Sequence, residues 1–256
     1  MSLNRIALRW ATVSALSNFS TTPYPTLAGP NIFDSQIVPI SNMSEDAIYP
    51  LCIVYTDYDL NTLPYKFMAH SDRKMTLTFE LLCTMLDQEG SDDEVYQLQY
   101  PQTDSDLEFN LDLFEKQIFD ALHVDNPAGD AWRGMVANAE NYISRRGASV
   151  EGGKKLAVRQ ITIECSVPRD PLVPGVPDYL SEFLTTLETE GEYQDRVQIL
   201  KAGYEQFAGQ TDAEAAIRQM GLTNATADTL AYERGPATVF TPPIQWQNGN
   251  GSGSLL

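Results

Sequence analysis

Arg73-Lys74-Met75-Thr76-Leu77-Thr78-Phe79-Glu80-Leu81-Leu82-Cys83-Thr84-Met85 is the stretch on which the fold turns. Met75, Leu77, Phe79, Leu81, Cys83 and Met85 alternate with Thr76, Thr78, Glu80, Leu82 and Thr84. That period of two belongs to a β-strand with one face on a core and one face wetter, as in antiparallel sheets. A second run, Leu156 to Val167, has Ala157, Arg159, Ile161, Ile163 and Cys165 on one side. Between the two, Leu111, Phe114, Ile118 and Leu122 recur at helical steps and share one face. Asp106, Glu108 and Asp112 crowd the start of that helix, where the backbone dipole favours negative charge.

Working outward from this centre, Leu3, Ile6, Ala7, Trp10, Val13 and Leu16 mark one apolar face of an opening helix. Arg5 and Arg9 interrupt it, so the segment reads as a folded helix and not as a signal peptide. Thr21 to Pro50 holds five prolines (Pro23, Pro25, Pro30, Pro39, Pro50) and Gly29, and is expected to be mostly extended loop. A loop of that length suits contacts with other subunits. Leu51 to Tyr55 reads as a short buried strand, followed by a second loop from Asp57 to Asp72. Asp130 is placed to cap a helix through Trp132, Met135, Val136 and Ala139. Arg145-Arg146-Gly147 and Gly152-Gly153-Lys154-Lys155 read as a basic, Gly-rich turn before the last strand.

Pro168, Pro171, Pro174 and Pro177 then break the chain. Beyond them the periodicity is helical. Leu180, Phe183, Leu184 and Leu187 mark one helix, and Tyr193, Val197, Leu200, Tyr204 and Phe207 mark a second. Thr211 with Glu214 forms a capping box for a third helix ending near Gly221. Gly249 to Ser254 is Gly-, Ser- and Asn-rich and reads as a mobile tail. The organisation expected is an α+β domain at 1–168, a helical extension at 174–225 and an extended tail at 226–256. Its sheet should be mostly antiparallel and flanked by helices.

The chain has 256 residues, 43% hydrophobic and 20% charged, an ordinary globular composition able to bury a good core. No apolar run approaches the length of a membrane span. Three cysteines, two of them (Cys83 and Cys165) in strand patterns, read as free buried thiols. A net charge of −18 argues against a classical nucleic-acid binder, which needs clustered cations to neutralise phosphates. From Met75 to Glu115 there is no basic residue, but there are eleven acidic ones, including Asp92, Asp93 and Glu94.

Catalytic patterns are sparse. The chain has two histidines, His70 and His123, and neither stands at a metal-ligand spacing from a cysteine. Cys83 with His70 is the one nucleophile pair worth naming. Gly147 to Lys155 resembles a phosphate loop, but its lysine comes late and no Ser or Thr follows. Asp104, Asp106, Glu108, Asn110, Asp112 and Glu115 match the ligand spacing of a calcium-binding loop, yet Phe109 occupies the position that needs glycine. No cofactor or metal is expected.

The order of elements resembles the tail terminator proteins of tailed bacteriophages. Those proteins share an N-terminal helix, a Pro-preceded strand, an Arg-led alternating strand, a helix across the sheet, and a closing strand after a Gly-rich basic turn. The matching pieces are Leu3–Leu16, Pro50–Asp57, Arg73–Met85, Leu111–Leu122 and Leu156–Val167, about two-thirds of the chain. The resemblance implies a structural virion protein at the tail–neck junction, assembled in the host cytoplasm, and not an enzyme. It implies a homohexameric ring that stops tube polymerisation and offers a docking face to head completion and neck proteins, with the tail tube and sheath as further partners. DNA would pass through that ring without specific binding. Interface candidates are Arg73, the basic residues Arg145, Arg146, Lys154 and Lys155, and the apolar Leu180, Phe183 and Leu187. Asp92, Asp93 and Glu94 are candidates for the lumen. A minimal terminator would lack the helices after Pro174. The alternatives are another phage neck or baseplate adaptor, or an unrelated soluble enzyme or binding module.

Overall fold

A computed structural model describes residues 3–36, 50–61, 73–84, 104–151, 154–171, 174–205, 226, 245–248 and 251–254. The chain divides into two compact units, one of Met1–Pro64 with His70–Ala208 and one of Tyr65–Ala69 with Gly209–Leu256.

The first unit is α+β. Its elements run α1 (Leu3–Ser17), β1 (Ile32–Asp34), β2 (Leu51–Asn61), β3 (Arg73–Thr84), α2 (Asp104–Leu122), α3 (Pro127–Met135), β4 (Asn138–Glu151), β5 (Lys154–Ser166), α4 (Asp178–Leu187) and α5 (Gln194–Tyr204). The sheet order is β1-β2-β3-β5-β4. Every pairing is antiparallel except β1 with β2, which is parallel. The alternating strand thus lies at the sheet's centre, with its apolar row opposite that of β5: Met75 faces Cys165, Leu77 faces Ile163 and Phe79 faces Ile161. These residues join one core with side chains from all five helices. On the other face Leu51, Ile53 and Leu82 form a smaller cluster with Phe33, Tyr55 and Val158.

Several elements differ from their sequence reading. The proline-rich loop contains β1, whose Phe33 lies opposite Ile53. β2 continues past Tyr55 through a bulge between Thr56 and Tyr58, because β3 supplies partners as far as Arg73. Asn126, not Asp130, caps α3: its side chain accepts from Gly129 N at 2.8 Å, and Pro127 occupies the first turn, where no N–H is missed. α3 ends at Met135, so Val136 and Ala139 lie beyond it. The largest difference is β4, which is a strand where the sequence reads as a turn at Arg145–Gly147.

α4 and α5 follow as read, but they sit within the same compact unit and core as the sheet. Leu180, Phe183, Leu184, Leu187, Val197, Leu200 and Tyr204 are all buried. Gly134 lets α3 and α4 approach, since a Cβ there would lie 2.6 Å from Tyr179 Cβ. Gly191, at φ +80°, supplies the left-handed residue in the α4–α5 turn. Asn4, fully buried, ties the ends of the unit together. Its Nδ2 donates to the carbonyls of Pro168 and Arg169 at 2.9 and 3.0 Å, and its Oδ1 accepts from the Tyr204 hydroxyl at 2.7 Å. Asp170 accepts from the N–H groups of Leu3 and Asn4, a carboxylate at the positive end of α1.

In the second unit, β6 (Gln245–Asn248) pairs antiparallel with β7 (Gly251–Ser254). The stretch assigned to a tail by composition therefore contains a strand. The capping-box helix near Thr211 and the Asp92–Glu94 acids lie outside the described residues.

Candidate contact surfaces

β4 is one of the two edge strands of the sheet, β1 being the other, and with β5 it forms the longest hairpin. Its residues from Asn138 to Gly147 are exposed. Neither face of β4 is strongly buried, so nothing in its sequence needed to alternate, and the period-two signal is missing. Pairing with β5 makes the strand. Arg145 and Arg146, adjacent in sequence, consequently point to opposite faces. Arg146 lies on the helix side and pairs with Glu108 of α2. Arg145 lies on the open side, opposite Gln160, and has no acidic partner among the described residues. Lys154 and Lys155 stand in register with Glu151 and Val150 at the start of β5. Arg145 and Arg146 therefore lie within the strand, and Lys154 and Lys155 stand at the turn end of the hairpin.

The acids of the calcium-like spacing have a different use. α2 is helical from Asp104 onward, so these residues cannot wrap an ion as a loop does. Glu108, Asp112 and Glu115 instead fall at steps of four and three on one face and converge on Arg159 of β5. Arg159, with its side chain 11% exposed, donates to Glu108 at 2.9 Å, to Glu115 at 3.0 Å and to Asp112. Ser144 of β4 also donates to Glu115, at 3.2 Å. This is a charged seam holding α2 across the sheet. Among the described residues no group of three or more His, Cys, Asp or Glu has metal-binding geometry.

Cys52, Cys83 and Cys165 are free and buried. Burial pushes the thiols of Cys83 and Cys165 up to about 12, and raises that of Cys52 as well. A thiol held protonated is a poor nucleophile. His70, the partner considered for Cys83, lies outside the described residues. His123 is exposed, with its Nδ1 2.7 Å from the Phe119 carbonyl.

Other contact candidates are interior residues. Arg73 is 2% exposed, bound by both carboxylate oxygens of Asp59 at 3.0 and 2.7 Å and by Asp170 at 3.4 Å. Those hydrogen bonds from Arg73 hold the Asp59 carboxyl below its ordinary range. Leu180, Phe183 and Leu187 lie in the core, so the stripe that looked available to a partner is used within the subunit. The apolar side chains that do reach the surface were not singled out by periodicity. Phe109 (67% exposed) and Leu113 stand one turn apart on α2, Tyr58 and Leu60 end β2, Tyr142 and Ile143 lie on β4, and Ile199 lies on α5. Phe109, Leu113 and Ile199 fall off the apolar stripes of their helices, and that misfit was the available signal.

No protein-family model matches this chain, and no curated protein matches it. Among the described residues no helix is long and apolar enough to cross a membrane.

Proposed function

We propose that this chain is a tail terminator-like structural protein of a tailed bacteriophage, which closes as a homohexameric ring on the end of the tail tube. The observation that carries the reading is the order α1, β2, an Arg73-led β3, α2 laid across the sheet, and a closing β5, the same order on which the resemblance rests. A ring contact is heterologous and needs two different patches on one subunit. Phe109 with Leu113 on α2, and Tyr58 with Leu60 on β2, supply separate exposed apolar positions for it. In a ring, a chain of net charge −18 discourages DNA from sticking as it passes. In this reading the ring stops tube growth and presents a face to head completion, neck and sheath proteins, without a cofactor.

The test is negative-stain imaging of the purified protein, alone and mixed with uncapped tail tubes. Six-fold rings seated on tube ends are the expected result. Rings that bind portal assemblies and ignore tubes would favour a neck adaptor. A protein that forms no ring and binds neither would overturn the proposal.

A further inference from the structure

β4 is a long edge strand, exposed on both faces from Asn138 to Gly147, with Ile143 45% exposed. Such an edge offers a row of backbone donors and acceptors to another strand. We propose that it pairs with the same strand of a second copy of this chain, antiparallel and centred on Ile143. Charge complementarity selects that occupant and that register.

On the open face, β4 has a cation on one side of Ile143 and acid on the other. The cation is Arg145, without an acidic partner among the described residues. The acid is Glu140, at the bulge between Ala139 and Asn141, together with Glu164 of β5, which accepts from Asn141 Nδ2 at 2.5 Å. Glu140 already pairs with Lys74 of β3, which leaves Glu164 as the second carboxylate of the group. A two-fold axis perpendicular to the sheet at Ile143 keeps the open faces of both copies on the same side. It sets each Arg145 opposite the other copy's Asn141, beside Glu140 and Glu164, and it does so twice. On the other face it sets Tyr142 opposite Ser144. The two Ile143 side chains meet at the axis, at the spacing of directly opposed residues. An unrelated acidic strand would use Arg145 but leave Glu140 and Glu164 facing acid. A second copy satisfies both ends. The contact is isologous, so it cannot itself close a ring of six, and it stands independently of the phage reading.

The test uses the full chain with Ile143→Cys. Because the three native cysteines are buried, mild oxidation should give a disulfide-linked pair on a non-reducing gel, whereas the exposed control Ile199→Cys should not. Light scattering of the unmodified protein should show a pair, or an even number of copies. Arg145→Glu should weaken it by about tenfold, since two screened ion pairs are lost together. Arg145→Glu with Glu164→Arg should recover most of that loss. Circular dichroism checks that each variant is folded, and the exposure of these positions makes folding failures uncommon. A protein that is monomeric at high concentration would overturn the proposal, as would an Ile143→Cys variant that cross-links no better than Ile199→Cys. So would an assembly indifferent to Arg145→Glu.

Discussion

Replacing Phe183 by alanine asks whether α4 and α5 are an appendage or part of the fold. Phe183 lies on α4, beyond the run of prolines, yet is 1% exposed and among the largest fully buried side chains. Its ring meets that of Phe19, just after α1, with centroids 6.2 Å apart and planes at 44°. The cavity left behind would border Phe19, and the helices around it are tied together where Asn4 of α1 bonds Tyr179 of α4 and Tyr204 of α5. Phe→Ala at such a site costs about 3–5 kcal/mol. Against a typical domain stability of about 5–15 kcal/mol, that is a large share. For a unit of this size it corresponds to a fall in Tm of roughly 6–20 °C. The assay is urea unfolding followed both by far-ultraviolet circular dichroism and by tryptophan fluorescence, since Trp10 on α1 stacks on Tyr193 at 4.6 Å. Both signals should shift together to lower urea. A loss below about 1 kcal/mol, or a sheet transition left in place while the helices melt early, would refute a shared core.

The remaining predictions concern charge and thiols. Arg159→Met should cost about 1–3 kcal/mol by leaving Glu108, Asp112 and Glu115 facing one another, and high salt should recover part of that loss; a salt-independent loss in urea titrations would contradict this account. Asp59, with its folded pKa depressed by Arg73, contributes stability that is fully present above the ordinary value of 3.8 and is lost as pH falls through the lower folded value. Asp59→Asn should therefore be less stable at neutral pH and lose less on acidification, measured as urea midpoints between neutral and acid pH. All three native thiols should resist a disulfide reagent in the folded protein and react on unfolding in denaturant; rapid labelling of any one in the native state would contradict its burial.

Core elements were legible where burial imposes a period. β3 and β5 alternate because one face of each rests on helices, and α1, α2, α4 and α5 show helical stripes because each buries one side. Those patterns are enough for the α+β class and a mostly antiparallel sheet. Capping chemistry was less legible, since Asp130 and Asn126 are both good caps and only the placement of Pro127 in the first turn separates them. The acids at 104–115 satisfied the spacing of a calcium loop and of a helix face alike; Arg159, more than forty residues away, is what they serve.

From residues alone came the identity and period of the buried strands and helices, because the pressure to exclude water from a core is written locally, one side chain at a time. Tertiary structure decided what depends on partners distant in sequence. It made an unpatterned stretch into the edge strand β4 by giving it β5 to pair with, and it turned Arg145 and Arg146 to opposite faces. It also drew Arg73, Leu180, Phe183 and Leu187 inside the subunit. A backbone ladder requires only a neighbour's N–H and carbonyl groups, which every residue but proline provides in full, so a strand buried on neither face leaves little trace in its sequence.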